Sequence, residues 1–129
     1  MTTLQGLAAV MIPVADQQKA LDFYVDTLGF ELRRDVPFGD GERWAEVGVP
    51  GADTTLAPMT QRGEDWKAGV NTGISIASSD VHGLHAQLRD AGVDVDAEVM
   101  SVPGPPPDMF WFRDPDGNSL LIVEAMPGA

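Results

Sequence analysis

From Val10 to Val14 the chain is apolar; Asp16 then intervenes and a helical spacing takes over. Ala20, Tyr24 and Leu28 recur at i, i+4 and i+8, with Leu21 and Phe23 widening the stripe. The same order returns later, where "VMIPVADQQKALDFYVDTLGFEL" can be laid on "ISIASSDVHGLHAQLRDAGVDV". Asp16 then matches Asp80, and one residue is deleted before Leu28-Gly29-Phe30 meets Ala91-Gly92-Val93. In the second copy Val81, Leu84, Leu88 and Ala91 form the stripe. Each aspartate stands where its carboxylate can accept from the free N–H groups of a first helical turn, so both predict helix caps. Gly29 and Gly92 predict the helix stops.

Strand-like runs follow each stop: "FELRRDV", "RWAEVGV" and "TTLAPM" in the first half, "VDVDAEVM", "MFWFR" and "SLLIVEA" in the second. The pattern predicts an α+β chain of two tandem βαβββ units. It assigns residues 5–59 to the first unit, 60–70 to a polar surface connection and 71–125 to the second, all within a single domain. A half of roughly 60 residues with one uncovered sheet is marginal, so each sheet must bury a face against the other or against a partner chain. In "DPDGN", Pro115 presets φ at the second turn position, Asp114 and Asp116 bond back to the backbone, and Gly117 accepts positive φ. That turn predicts a hairpin between the last two strands. The glycines of "GADTT" and "DGERW" also read as turns.

Composition narrows the function classes. Twenty acids against eight bases give a net charge of −12, which repels polyphosphate backbones and argues against nucleic acid. With 43% hydrophobic and 22% charged residues the chain reads as soluble and globular, and no apolar run is long enough for a bilayer. The start reads as a strand and not as a signal peptide, which leaves the cytoplasm as the default location. Cysteine is absent, excluding disulfides, thiolate metal sites and cysteine nucleophiles.

The segments "PVADQQKALDFYVDTLGFEL", "GERWAEVGVPG" and "FWFRDPDGNSLLIVE", in this order within the repeat, give the chain a resemblance to the vicinal oxygen chelate superfamily. That superfamily includes glyoxalases, extradiol dioxygenases, fosfomycin-modifying enzymes and bleomycin-binding resistance proteins. The resemblance spans nearly the whole chain and implies a curved mixed sheet around a cavity and a homodimer. It also implies metal-ligand positions on the first strand of each half and on the last strand. Seven residues before each capping aspartate lie Ala9 and Gly73; three beyond the Asn of "DPDGN" lies Leu121. None carries the imidazole, carboxylate or thiolate that a first-row metal requires, and their neighbours Leu7, Ala8, Val10, Thr72, Ile74, Leu120 and Ile122 do not either. No metal and no cofactor is expected. The only histidines are His82 and His85; a helical wheel sets His82 opposite the Leu84 and Leu88 stripe and His85 at its margin, so both read as surface residues.

If Leu121 faces the cavity, strand alternation sends Ser119 and Val123 there too, with Ala9, Met11 and Pro13 from the first strand and Gly73, Ser75 and Ala77 from the fifth. Gly73 within a strand suggests close approach by another group. Of the aromatic run, Phe110 and Phe112 take one face and Met109, Trp111 and Arg113 the other; one set belongs to the core, leaving the other to line the cavity. Trp44 on the third strand and Trp66 in the connection are further candidates, with Arg43 beside Trp44 as a polar anchor or stacking partner. The candidate ligand-binding set is therefore Met11, Arg43, Trp44, Trp66, Ser75, Met109, Trp111 and Leu121. Glu31 and Glu46 are single acids on strands, and Glu46 is a candidate base for a metal-free proton transfer. The composition favours a binding protein for a hydrophobic or aromatic small molecule, neutral or cationic, of the bleomycin-resistance type. The alternatives are a lyase, isomerase or oxygenase variant, and a scaffold domain whose cavity is closed.

Overall fold

The computed structural model describes residues 2–39, 41–60 and 63–126; Asp40 of the "DGERW" turn and Gln61 and Arg62 of the connection lie outside them. The chain divides into two compact units, Met1–Ala68 and Gly69–Ala129. The expected connection is thus shared, its first part going with unit 1.

In unit 1, β1 (Ala9–Pro13), α1 (Gln17–Asp22), β2 (Glu31–Pro37), β3 (Arg43–Gly48) and β4 (Thr55–Met59) follow in order. In unit 2, β5 (Asn71–Ser78), α2 (Val81–Asp90), β6 (Asp94–Val95), β7 (Met109–Arg113) and β8 (Ser119–Glu124) repeat it. The sheets have equivalent strand orders, β1-β4-β3-β2 and β5-β8-β7-β6. In each, the first strand lies parallel to the last and the remaining pairs are antiparallel. The repeat seen in the sequence is therefore a repeat of topology. Among the described residues no helix is long and apolar enough to cross a membrane.

Both caps form as the sequence predicts: Asp16 Oδ1 accepts from the Lys19 N–H and Asp80 Oδ1 from the Gly83 N–H, each at 3.0 Å. Gly29 and Gly92 close the helical segments at φ 84° and 83°. The first helix departs from expectation in its second half, where Phe23–Thr27 is a π-helical turn. The Leu28 N–H reaches five residues back to the Phe23 carbonyl at 3.1 Å. A π-turn is an α-helix with one residue inserted, and the first copy of the repeat has one residue more than the second between aspartate and glycine. The length mismatch in the alignment is absorbed there.

On the helix side of the first sheet Ile12, Val14, Ala45, Val47 and Leu56 are buried with Ala20, Leu21 and Tyr24. In unit 2 Phe110, Phe112, Leu120 and Ile122 are buried with Val81 and Leu88. Each such large side chain contributes on the order of 1.5–3 kcal/mol through burial. His85 joins this core, which corrects the expected surface position: it is 6% exposed, its Nε2 lies 2.7 Å from the Asp96 carbonyl oxygen, and its ring meets Phe110 edge to face. His85 stands four residues after Val81 and three before Leu88, which places it on the buried stripe itself. His82 is exposed and pairs with Asp108 at 2.9 Å.

The run "VDVDAEVM" gives only the two-residue β6, with pairing regained at the Met100–Met109 bridge. Asp96 interrupts it. Its Oδ2 accepts from the Trp111 N–H at 3.1 Å and its Oδ1 from Arg113 at 2.8 Å, so a side chain takes over part of the ladder.

Candidate functional site

Each sheet has a helix-covered face and a second face carrying most of the candidate residues. On the second sheet the register aligns Ser75, Leu121 and Trp111 in one row and Ala77, Val123 and Met109 in the next. Leu120, Ile122, Phe110 and Phe112 are buried on the opposite side, whereas Leu121, Val123, Met109 and Trp111 are only partly covered. Of the two aromatic sets, the phenylalanines are core and Trp111 stands on the other face. The hairpin delivering β8 to this row is built as expected: Asp114 Oδ1 accepts from the Asp116 and Asn118 N–H groups, both at 2.9 Å, and Gly117 has φ 82°.

Gly73 serves a different purpose from the one its place in a strand suggests. It has φ 71°, sits where the β5–β8 register shifts between Asn71 and Ser75, and a Cβ there would meet nothing within 4 Å. Backbone conformation, not close approach, requires glycine here.

On the first sheet Ala9 pairs with Thr55 and Met11 with Ala57, while Trp44 and Glu46 alternate with the buried Ala45 and Val47. Met11 is 42% exposed. The Thr55 hydroxyl donates to Glu46 Oε1 at 2.7 Å, and the Trp44 indole N–H donates to Glu46 Oε2 at 2.5 Å. These bonds, the Thr55 one foremost, hold the Glu46 carboxyl below the usual glutamate range against the opposing effect of burial; the charge of Arg34, its cross-strand neighbour, adds to them. A carboxylate so stabilised is a weaker base, which counts against Glu46 as a proton acceptor in catalysis. Phe38 extends this face, its ring centroid 5.7 Å from that of Trp44 at 66°. Phe38 and Thr55 carry no signal of their own in the sequence, since only the pairing of strands brings them to Trp44 and Glu46.

Arg43 does not join them. Alternation sends it to the helix side, where it grips Asp35 through two hydrogen bonds of 3.0 and 2.6 Å and donates to Gln18 at 2.8 Å. It lines a groove of about 200 Å³ with Leu21, Val25 and Leu32. The Arg43 guanidinium holds the Asp35 carboxyl below its ordinary range. A bulge between Leu32 and Arg34 shifts the register of β2, putting Arg34 across from Glu46 and Val36 across from Trp44. Arg33, at that bulge, is bound instead to the β3–β4 loop through the Ala52 and Val49 carbonyls.

Trp66 lies at the end of the first sheet. Its indole N–H donates to the Met59 carbonyl at 3.0 Å, and its ring lines a cleft of about 400 Å³ with Val14, Ala15, Thr60 and Ala68. The eight candidates thus fall into separate groups: Met11 with Trp44, Trp66 at its own cleft, Ser75 with Met109, Trp111 and Leu121, and Arg43 apart.

The metal positions implied by the family resemblance do not fit a metal. Ala9, Gly73 and Leu121 offer no donor atom on their side chains, and no group of three or more His, Cys, Asp or Glu side chains among the described residues is arranged to hold an ion.

Comparison with known proteins agrees with this architecture. Residues 6–122 match the Glyoxalase/Bleomycin resistance protein/Dioxygenase superfamily. The uncharacterized protein YetH of Bacillus subtilis (strain 168) is 31% identical over 130 residues, covering 94% of this chain and 99% of that protein. A member of the same superfamily from Sphaerobacter thermophilus DSM 20745 is 36% identical in its crystal structure, which superposes with a TM-score of 0.89 over 96% of this chain and 100% of the other. TnmS3, an antibiotic binding protein from Streptomyces sp. CB03234, is 32% identical with a TM-score of 0.84, covering 98% of this chain and 100% of its own. Repeat, strand order, turn and sequence similarity concur: the chain belongs to the glyoxalase/bleomycin resistance protein/dioxygenase superfamily.

Proposed function

We propose that this protein binds a hydrophobic or aromatic small molecule, of the antibiotic or natural-product kind, and does so without metal chemistry. The observation that carries the reading is the row Ser75–Leu121–Trp111. A leucine stands where the family's ligand carboxylate is implied, flanked by a partly covered indole and a small hydroxyl side chain. Such a surface gives up water readily and stacks against a planar ligand. Within the first unit Met11 and Trp44 form an apolar sheet face of their own and Trp66 lines its own cleft, whereas Arg43 is committed to Asp35. Similarity to an antibiotic binding protein supports the same reading. A homodimer in the cytoplasm belongs to it as well, to be checked by sedimentation of the purified protein and by fractionation of the source cells.

The test is a tryptophan-fluorescence titration of the purified protein with a panel of aromatic natural products, accompanied by thermal melts. Saturable quenching is expected, and ligand at about 100 times Kd stabilises the fold by roughly 2.7 kcal/mol. Trp111→Ala should weaken binding by about tenfold or more. A panel with no saturable ligand overturns the reading. Purified protein carrying near-stoichiometric zinc, iron, manganese or nickel overturns its metal-free part.

A further inference from the structure

We propose that Glu46 is the specificity-determining anchor of the first sheet's ligand face, and that this face takes an aromatic ligand carrying a protonated amine. The inference rests on the binding reading above and narrows its ligand class.

Glu46 stands on the same face as Trp44 and Met11, with Thr55 beside it and Arg34 across the strand. Each carboxylate oxygen already accepts one bond, Oε1 from Thr55 and Oε2 from Trp44. A carboxylate has about four acceptor sites, so each oxygen retains one for an incoming donor. The bonds that hold the group ionised also fix its direction, and a preset anion loses little freedom on binding. The Trp44 N–H lies in the plane of its ring, so the bond to Glu46 places the carboxylate at the indole edge and not over a ring face. Phe38 packs across the same ring and orients it further. An anion at the edge of a fixed indole matches a ligand whose ring stacks while its ammonium reaches both the carboxylate and the π-cloud. The net charge of −12 attracts such a ligand at long range. Arg34, across the strand from Glu46, is the competing charge. It is exposed and solvated, and makes no ion pair with Glu46 among the described residues, whereas the Glu46 carboxylate is held in place from two sides.

Isothermal titration calorimetry at neutral pH with three matched probes, naphthylmethylammonium, naphthylmethanol and naphthylacetate, tests this on the whole protein. The ammonium probe is expected to bind about tenfold or more tighter than the alcohol, with the carboxylate weakest. In Glu46→Gln the ratio between ammonium and alcohol should collapse to within about twofold. Equal affinity for ammonium and alcohol in the unmodified protein overturns the assignment without any variant and leaves the binding reading standing. So does tighter binding of the carboxylate, which would make Arg34 the anchor. An undiminished ratio in Glu46→Gln also overturns it. If no probe binds and the natural-product panel is silent too, both readings fail.

Discussion

The Asn118 side-chain amide donates to Asp114 Oδ2 at 3.0 Å, with Asn118 fully buried and Asp114 nearly so. The carbonyl end of the same amide accepts from the Gly69 and Val70 N–H groups at 2.9 and 3.1 Å. One side chain thereby joins the β7–β8 turn to the chain entering β5, and β5 and β8 are the strands that carry Ser75 and Leu121. Asn118→Ala would take the shared acceptor from the Gly69 and Val70 N–H groups and remove a hydrogen bond from the buried Asp114 carboxyl. A loss of about 2–4 kcal/mol is expected in urea unfolding, with the slope unchanged. A loss within about 0.5 kcal/mol would mean that the two amides find other acceptors and that the tether is dispensable.

The helix caps give a second expectation. Asp80 accepts from the Gly83 N–H and Asp16 from the Lys19 N–H at matched positions of the repeat. Asp80→Ala and Asp16→Ala should each cost about 1 kcal/mol, while the asparagine variants keep most of that stability. Equal losses for alanine and asparagine would assign the effect to charge at the helix N-terminus instead of the capping hydrogen bond.

Features set by neighbours in sequence are legible in the sequence alone. Asp16, Asp80, Gly29 and Gly92 act within one helical turn, and the alternation of Phe110 and Phe112 against Met109 and Trp111 follows from the pleat alone. The extra residue of the first copy marked the site of the π-turn, although its form required the structure. Other features depend on partners far along the chain. Nothing near Asn118 in sequence announces Gly69 and Val70, and Glu46 meets Thr55 only when β3 and β4 pair. Arg43 is next to Trp44 in sequence, but adjacent strand residues point apart, so it turns to Asp35 and Gln18 and not to the face of Trp44. The β2 register was hidden by the bulge at Arg33.

The two histidines should behave differently. The Asp96 carbonyl can only accept, so the His85 Nε2 facing it at 2.7 Å carries a proton. His85→Ala removes that bond and the ring contact with Phe110, at an expected cost of about 2–3 kcal/mol in thermal or urea unfolding. His82, whose side chain is 65% exposed, should tolerate alanine within about 0.5 kcal/mol despite its contact with Asp108. Equal effects would contradict the burial of His85.

The stabilised Glu46 carboxylate also predicts a pH signature for the fold. Its native pKa lies below the unfolded one because Thr55 and Trp44 donate to the charged form. The native state therefore holds fewer protons on this group, and the resulting stability is fully present above the ordinary glutamate pKa of 4.5. It is lost as the pH falls from there through the depressed value. Asp35 and Asp108 titrate with the same sign, the first through Arg43 and the second through His82 and Ser101, so the unmodified protein alone does not isolate Glu46. Comparison with Glu46→Gln does. Glutamine cannot titrate, and turning its carbonyl to Thr55 sets its NH₂ against the Trp44 N–H, donor against donor. The variant should be less stable than the unmodified protein at about pH 7, and the gap between their urea midpoints should narrow steadily toward about pH 3 as Glu46 takes up its proton. A gap that stays constant over that range would show that Glu46 has the same pKa folded and unfolded; the Thr55 and Trp44 bonds would then not favour its charged form.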